Sequence, residues 1–327
     1  EDEFISNTAL SHGGGLMCWT ANSAAFTGVV FSGNSAAWGG GLGMHGTPTT
    51  ISQCSFENNL AQNIGGGMAA DFCELTIENT NFINDSSAGI SGGLHNWHCS
   101  SHITDCYFTG NTAALGGAVY SDFSTVIIQQ SSFIENAANN GGALRFWCSS
   151  LATDEVQFNQ NHGYNESGAI EFLADTNEYT EPYELSMVHT NFIENTAVNR
   201  FGAVWIQQVN SDTPLIQVTI DRCIFTENHA ERIGAIQISG NTTGAMISNS
   251  IFTGNASTLF YDCASFVGGV NGTAYNSLFT YNEAGTGTSG AVGIANISSF
   301  DFINCTFAGN TSLAGGAISM RRGSSST

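Results

Sequence analysis

Apolar and polar positions recur along the chain in two short patterns. In the first, a phenylalanine is followed three residues later by an asparagine or, once, by an aspartate. In the second, glycine is followed by a small residue and then an aliphatic one, as in Gly142-Ala143-Leu144. The first pattern occurs twelve times, and most copies are 25 to 28 residues apart. A repeat of this length predicts one unit that stacks on copies of itself rather than separate domains.

The repeat predicts an all-β fold, a right-handed single-stranded parallel β-helix, or solenoid, of about 12 coils. A period near 26 residues is too short for repeats that contain helices, and it fits one turn of short strands separated by glycine-rich bends. Apolar and polar residues alternate within the strands, as in Leu144, Arg145 and Phe146. Right-handed winding is expected because crossover connections between parallel strands are almost always right-handed.

Each pattern has an expected role in this fold. We expect the phenylalanines to stack from coil to coil inside the solenoid. We expect each asparagine to lie at a bend, where it tolerates a left-handed backbone and bonds an amide of the next coil. The residues predicted to form this interior ladder include Phe31, Asn34, Phe56, Asn59, Phe108, Asn111, Phe133, Asn136, Phe307 and Asn310.

The repeats predict a single domain over residues 1–322, followed by a disordered or linker tail at 323–327. Two segments, 173–188 and 207–218, lengthen the same part of consecutive coils. Because they lie at equivalent positions, they are predicted to project side by side as one lobe.

The first of these longer segments carries carboxylates that are weak candidates for a metal site, namely Asp175, Glu178 and Glu181. Carboxylate oxygens are the ligands that calcium prefers. The segment has no calcium-loop spacing, so the interpretation favoured here is a solvated acidic loop. No cofactor is expected, and calcium is the only alternative.

Composition bears on partners and location. The chain has six arginines and no lysine against 27 acids, with a net charge of −21. Such a charge argues against nucleic acid or an anionic membrane surface as a partner. No apolar run approaches the ~20 residues that a spanning helix needs, so no membrane insertion by this chain is expected. An extracellular or cell-surface location, reached by secretion, is the prediction.

Nine cysteines occur, and two of them are predicted to pair. Cys73 and Cys99 lie five residues after the aliphatic residue of consecutive glycine motifs. Stacking should therefore bring them within disulfide reach. A disulfide there would indicate an oxidising compartment.

Eight Asn-x-Ser/Thr sequons are present, close to the number expected by chance for this composition. Asn255 and Asn310 are also repeat asparagines, which favours a role in the interior ladder over glycosylation. The candidate glycosylation sites are Asn84, Asn165, Asn241, Asn271 and Asn296.

Residues one and three positions after each glycine-motif aliphatic are predicted to face outward. These positions hold four of the five tryptophans, Trp19, Trp97, Trp147 and Trp205. Aromatic planes in a row suit sugar rings or a protein partner. The alternative is that isolated exposed aromatics merely cover the sheet.

The alternation of Phe-x-x-Asn with Gly-Gly-Ala-Ile resembles the repeat of the chlamydial polymorphic outer-membrane proteins over essentially the whole chain. Two copies that carry the resemblance are Phe133-Ile134-Glu135-Asn136 with Gly141-Gly142-Ala143-Leu144, and Phe307-Ala308-Gly309-Asn310 with Gly315-Gly316-Ala317-Ile318. The resemblance implies a surface-exposed β-helix, similar to autotransporter passengers, that acts in adhesion and can self-associate. No catalytic role is implied.

Three function classes follow. The first is a non-enzymatic extracellular subunit that assembles head to tail into a surface filament, in which the half-coils at Phe4 and Ile318 complete each other. The second is a monomeric cell-surface adhesin that binds a glycan or a protein receptor through its flank. A polysaccharide-degrading β-helix enzyme is the remote third, because His162 is the nearest candidate and is better explained as a turn residue.

Overall fold

The computed structural model describes residues 2–175, 182–209, 216–259, 262–286, 289–321 and 323–326. The chain is an all-β parallel solenoid of about 12 turns, which confirms the predicted fold class and coil number. It divides into two units, Glu1–Leu151 and Ala152–Thr327, and both are built from the same four kinds of strand. None of the described residues belongs to a helix long and apolar enough to cross a bilayer.

Two kinds of strand surround the repeat asparagine. Strands of the phenylalanine sheet carry the repeat phenylalanine and are Glu3–Ile5, Val30–Ser32, Ser55–Glu57, Asn81–Ile83, Tyr107–Thr109, Ser132–Ile134, Gln157–Asn159, Asn191–Ile193, Ile224–Thr226, Ile251–Thr253, Leu278–Thr280 and Thr306–Ala308. Strands of the short-strand sheet follow the asparagine and are Ser35–Trp38, Leu60–Ile64, Ser86–Ser87, Thr112–Leu115, Ala137–Asn140, His162–Gly163, Thr196–Ala197, His229–Ala230, Ala256–Ser257, Glu283–Ala284 and Thr311–Ser312.

The other two kinds complete each turn. Strands of the glycine-motif sheet begin at the aliphatic residue and are Leu16–Trp19, Leu42–His45, Met68–Asp71, Leu94–Trp97, Val119–Asp122, Leu144–Trp147, Ile170–Asp175, Val204–Val209, Ile236–Ser239, Ala264–Val267, Val292–Ala295 and Ile318–Arg321. Strands of the fourth sheet are Ala24–Thr27, Thr49–Ser52, Glu74–Glu78, Ser100–Thr104, Thr125–Gln129, Ser150–Asp154, Tyr183–Val188, Ile216–Asp221, Thr243–Ser248, Asn271–Tyr275 and Ser299–Ile303.

Phenylalanines stack face to face inside each unit. In unit 1 the rings of Phe31 and Phe56 are 4.8 Å apart and nearly parallel. In unit 2 the rings of Phe225 and Phe252 are 4.6 Å apart in the same arrangement. These rings are fully buried, and burial of such side chains contributes about 1.5–3 kcal/mol each.

A ladder of buried asparagines runs beside the rings. Asn111 shows the pattern: its Nδ2 donates to Oδ1 of Asn136 in the next turn at 3.0 Å and to the Phe82 carbonyl of the preceding turn at 2.9 Å. The expected left-handed bend is one residue earlier than predicted. Glu135, not Asn136, has a positive φ of 54°. The side-chain amide of Asn136 must point into the ladder. The left-handed bend is therefore made by the residue before it, Glu135.

Unit 1 contains one exception in this ladder. Asp85 is fully buried where other turns place asparagine, and its Oδ1 accepts hydrogen bonds from the backbone N and Nδ2 of Asn59 at 2.8 and 2.9 Å. Its Oδ2 has no hydrogen-bond partner among the described residues. Burial raises the pKa of this carboxyl well above its ordinary value, only partly offset by the bonds from Asn59.

The longer coils of unit 2 are described only in part. The flanks of the segments 173–188 and 207–218 lie in paired strands: Leu173 pairs with Gln207 and Asp175 with Val209. The middle of each segment, 176–181 and 210–215, lies outside the described residues, so the predicted lobe stays a prediction. Within the tail at 323–327, Ser325 bridges to Ser299 by parallel pairing.

Candidate functional site

The outer face of the glycine-motif sheet in unit 1 carries the most distinctive surface chemistry. In each four-residue strand the first and third side chains point into the solenoid, and the second and fourth point away from it. The second-position residues are Met17, Gly43, Ala69, His95, Tyr120 and Arg145. The fourth-position residues are Trp19, His45, Asp71, Trp97, Asp122 and Trp147.

Second-position residues point outward, as predicted, but most of them are covered by their neighbours. His95 is 5% exposed and Tyr120 6%. Their rings stack at 5.8 Å, and the Arg145 guanidinium lies 5.6 Å from the Tyr120 ring centroid. Neighbouring turns therefore bury one another's outward side chains. Burial lowers the pKa of His95 to about 4, so its imidazole is neutral at physiological pH.

The residue after each of these strands turns the corner with a left-handed backbone. Phe72, His98 and Phe123 occupy this corner in consecutive turns, with φ of 55°, 51° and 50°. Bulky residues rarely adopt such angles. Backbone hydrogen bonds to the next turn hold them, including 2.8 Å from Phe72 N to the Trp97 carbonyl. The rings thus lie beside the fourth-position residues.

Together these side chains form a continuous surface, the aromatic–histidine strip, which consists of Trp19, His45, Phe72, Trp97, His98 and Phe123. Trp19 stacks on His45 with 4.4 Å between ring centroids. Phe72 lies parallel to His98 at 5.1 Å and edge-on to Trp97 at 4.8 Å. Trp19 is 57% exposed and Phe72 51%, so flat aromatic surface faces solvent.

Polar groups border the strip. His45 Nδ1 lies 3.8 Å from Asp71 Oδ2. Burial raises the pKa of the Asp71 carboxyl, and the nearby His45 and His12 partly counter that rise. Imidazole and carboxylate groups donate and accept hydrogen bonds to hydroxyl groups, whereas the rings offer apolar planes.

The predicted tryptophan row is therefore only part of the surface found. Trp19, Trp97 and Trp147 are on the outer face of unit 1. Trp205 belongs to unit 2 and is only 9% exposed, because Phe201 stacks against it at 4.8 Å. The corner residues Phe72, His98 and Phe123 were not predicted from the sequence, although they lie at one fixed offset in three consecutive repeats.

Cys73 and Cys99 directly follow the corner residues Phe72 and His98, and both are free thiols in the structure. They occupy equivalent positions in adjacent turns, as the sequence predicts, and Cys73 N donates to Cys99 Sγ at 3.4 Å. Hydrogen bonding to Cys73, together with burial, raises the pKa of the Cys99 thiol. The predicted disulfide stays a prediction.

The remaining candidate sites are spread over the chain. No group of three or more His, Cys, Asp or Glu side chains able to hold a metal ion occurs in the described ranges. Asp175 ends a strand, while Glu178 and Glu181 lie outside the described residues.

His162 forms a 2.7 Å hydrogen bond with Thr196 in the next turn of the short-strand sheet, and burial lowers the pKa of its imidazole. Of the candidate glycosylation sites, Asn84, Asn165 and Asn271 are exposed, and Asn241 and Asn296 are half-buried.

Comparison with known proteins agrees with this architecture. Residues 105–122 match the model of the Chlamydia polymorphic membrane protein repeat. This segment is thus similar to a polymorphic membrane protein repeat. It covers most of one turn within unit 1 and includes Phe108 and Asn111, which supports the resemblance drawn from the sequence. No curated protein is significantly similar to the chain.

Two solved structures match most of the chain at low identity. The periplasmic alginate epimerase AlgG has 8% identity and a TM-score of 0.45, with 99% of this chain and 78% of that one covered. The Azotobacter vinelandii mannuronan C-5 epimerase AlgE6 A-module has 11% identity and a TM-score of 0.34, with 98% and 91% covered. At these values the likeness carries no information about activity.

Proposed function

We propose that this protein is a non-enzymatic, cell-surface β-solenoid that binds a glycan through the aromatic–histidine strip. The observation that carries the proposal is the cluster of Phe72, Trp97 and His98, whose rings lie within 4.8 to 5.1 Å of one another on an exposed edge. The polymorphic membrane protein repeat supports the cell-surface location, since the family it describes is a membrane protein family.

The chemistry of the strip suits a saccharide. A sugar ring presents an apolar face of C–H groups and an edge of hydroxyl groups. Exposed aromatic rings such as those of Trp19 and Phe72 can cover the apolar face of the sugar. Polar groups such as those of His45 and Asp71 can form hydrogen bonds with its hydroxyl groups.

Rigidity favours the same conclusion. The corner residues are fixed by backbone hydrogen bonds to the next turn, such as 3.0 Å from His98 N to the Asp122 carbonyl. Side chains that are carried by a backbone fixed in this way lose little conformational freedom when a ligand binds. A protein ligand is the alternative occupant, and the experiment below separates the two.

The test is a glycan-array measurement with purified protein, comparing the native chain with Phe72→Ala and Trp97→Ala. Tyr281→Ala is the matched control, because Tyr281 is a 72% exposed aromatic in unit 2. Removing one stacked ring should weaken binding about 10-fold, equivalent to ~1–1.5 kcal/mol. The proposal fails if the array shows no ligand or if all three variants bind as the native chain does.

End-to-end assembly is a second proposal. In unit 1 Leu10 is 95% exposed in the same turn as Phe4, and in unit 2 Leu313 is 80% and Met320 54% exposed near Ile318. Large apolar side chains that are exposed to solvent favour contact with another copy. Phe4→Asp or Ile318→Asp should abolish long assemblies seen by negative-stain microscopy. Monomeric native protein at high concentration would contradict it.

A further inference from the structure

Unit 2 has a groove of about 780 Å³ on the outer face of its glycine-motif sheet. Every charged side chain that lines it is an arginine: Arg200, Arg232 and Arg321. The whole chain has only six arginines and a net charge of −21. Half of the arginines therefore meet at one groove, on a protein whose charge would otherwise repel anions.

Small side chains form the floor of the groove. Strand register places Trp205, Gln237, Ser265 and Gly293 in one outward row, and Gln207, Ser239, Val267 and Ala295 in the next. Side-chain size falls along the first row from tryptophan to glycine. Trp205, backed by Phe201, closes one end, and Arg321 lies at the other.

Two of the three arginines are held by carboxylates of the protein. Arg200 Nη1 lies 3.2 Å from Glu166 Oε1, and Arg321 Nη2 lies 3.5 Å from Oδ2 of the fully buried Asp262. Asp262 also accepts a hydrogen bond from Ser289 Oγ. These pairs fix the two guanidinium groups in position.

Arg232 differs from the other two. It is exposed, and it has neither an ion pair nor a hydrogen bond among the described residues. Three arginines against the Glu166 and Asp262 carboxylates leave a net positive charge in the groove. That charge is on Arg232, where an anion can reach it.

We propose that this groove binds an anionic saccharide, with a carboxylate or sulfate group on Arg232. Arginine offers a planar set of donors that matches such groups. The other polar lining side chains are amides and hydroxyls: Gln207, Gln237, Ser239, Ser265 and Asn296. Side chains that both donate and accept suit a ligand rich in hydroxyl groups.

The shape of the groove selects an extended ligand. Arg232 precedes the strand Ile236–Ser239, and Arg321 ends the strand three turns later. The two residues are therefore about 14 Å apart along the stacking direction, and they are further separated across the sheet. A single small anion contacts one of them, and an oligosaccharide of several acidic units reaches both. This site is independent of the aromatic–histidine strip, which lies in unit 1.

The experiment is calorimetric titration of the full chain from a host that does not attach N-linked glycans, because the Asn296 sequon lines the groove. The probes are oligogalacturonate, dextran sulfate fragments, neutral dextran and polyglutamate. We expect oligogalacturonate or dextran sulfate to bind, with affinity that falls as salt rises, and neutral dextran not to bind. The two anionic arms identify the acid group.

Arg232→Gln removes the unpaired charge and leaves a shorter, neutral polar side chain, and binding should weaken about 10- to 100-fold. Arg222→Gln is the control, because Arg222 is an exposed arginine of the same unit that pairs with Asp221 at 3.6 Å outside the groove. Equal loss in both variants overturns the proposal, as does binding to neither anionic saccharide. Polyglutamate binding as tight as oligogalacturonate would replace the saccharide with an acidic peptide.

Discussion

The interiors of the two units are built alike, whereas their outer faces differ. Inside, both stack phenylalanines at 4.6 to 5.0 Å and join asparagines by amide hydrogen bonds. Outside, the outward rows of the glycine-motif sheet carry aromatic rings and histidines in unit 1. In unit 2 the equivalent rows carry mostly small or polar side chains and form the floor of a groove that Arg200, Arg232 and Arg321 line. The repeat therefore constrains the interior rows and leaves the outward rows free to carry different binding chemistry.

The largest expected effect on stability comes from the phenylalanine stack, which is present inside both units. Phe108→Ala in unit 1 and Phe225→Ala in unit 2 each remove a fully buried ring from a stack. Each should lower the free energy of unfolding by about 3–5 kcal/mol, measured by urea denaturation.

Tyr107→Ala is the control for the loss of an aromatic ring, because Tyr107 is adjacent to Phe108 and 54% exposed. It should change the free energy of unfolding by less than ~0.5 kcal/mol. An equal cost for Tyr107→Ala and Phe108→Ala would show that the stack does not stabilise the fold.

Gly293→Ala tests the floor of the unit 2 groove. A Cβ at Gly293 would collide with the carboxylate of Asp262, which is fully buried and paired with Arg321. We expect a loss of about 1–3 kcal/mol in stability and weaker binding of anionic saccharide. Ser265→Ala, at the same register position one turn earlier, adds no atom to the groove floor and should not cause this loss of stability. Glycan binding by unit 1 should be unchanged in both variants.

Asp85→Asn tests the one difference between the two interiors. The unit 2 ladder contains only asparagine, whereas unit 1 contains Asp85. The amide of the substituted residue can donate a hydrogen bond to the Phe56 carbonyl, as Asn111 does to the Phe82 carbonyl. The substitution should therefore raise the free energy of unfolding by about 0.5–1.5 kcal/mol.

The effect of Asp85 depends on pH with a definite sign. Burial raises its pKa in the folded protein above the ordinary value of 3.8. Its contribution to stability is therefore fully present below pH 3.8 and is lost as the pH rises towards the raised pKa. Urea denaturation from pH 4 upward should show a decline that Asp85→Asn removes and that Asn228→Asp introduces into unit 2. An identical pH profile for native protein and Asp85→Asn would contradict the account.

The smallest expected effect concerns the corner beneath the strip. A bridge between Cys73 and Cys99 would tie the backbones that carry Phe72 and His98. We propose that this disulfide forms in oxidising solution, where peptide mapping without reductant should find the two cysteines joined. Reduction should then weaken glycan binding by a few-fold and leave the Arg232 groove unaffected. Two free thiols under those conditions would remove the proposal.

Sequence alone predicted the interior better than the surface. Phe108 and Asn111 were identifiable because stacking demands the same residue in every turn. The surface residues were not predicted because they do not have to be the same in every turn. The corner position that holds Phe72 holds Gly46 one turn earlier and Cys148 three turns later. Arg200, Arg232 and Arg321 are also far apart in the sequence, and they line one groove only because the turns that carry them stack. The sequence could have pointed to these surface residues only through their position in the repeat, not through their residue type.

The most direct test of two separate binding faces on one repeated interior is a crossed binding experiment. The strip variant Trp97→Ala and the groove variant Arg232→Gln are each titrated with the array-selected glycan and with the anionic saccharide. The account predicts that Trp97→Ala loses about 10-fold affinity only for the first ligand, and Arg232→Gln about 10-fold or more only for the second. Parallel losses for both ligands in either variant would contradict it.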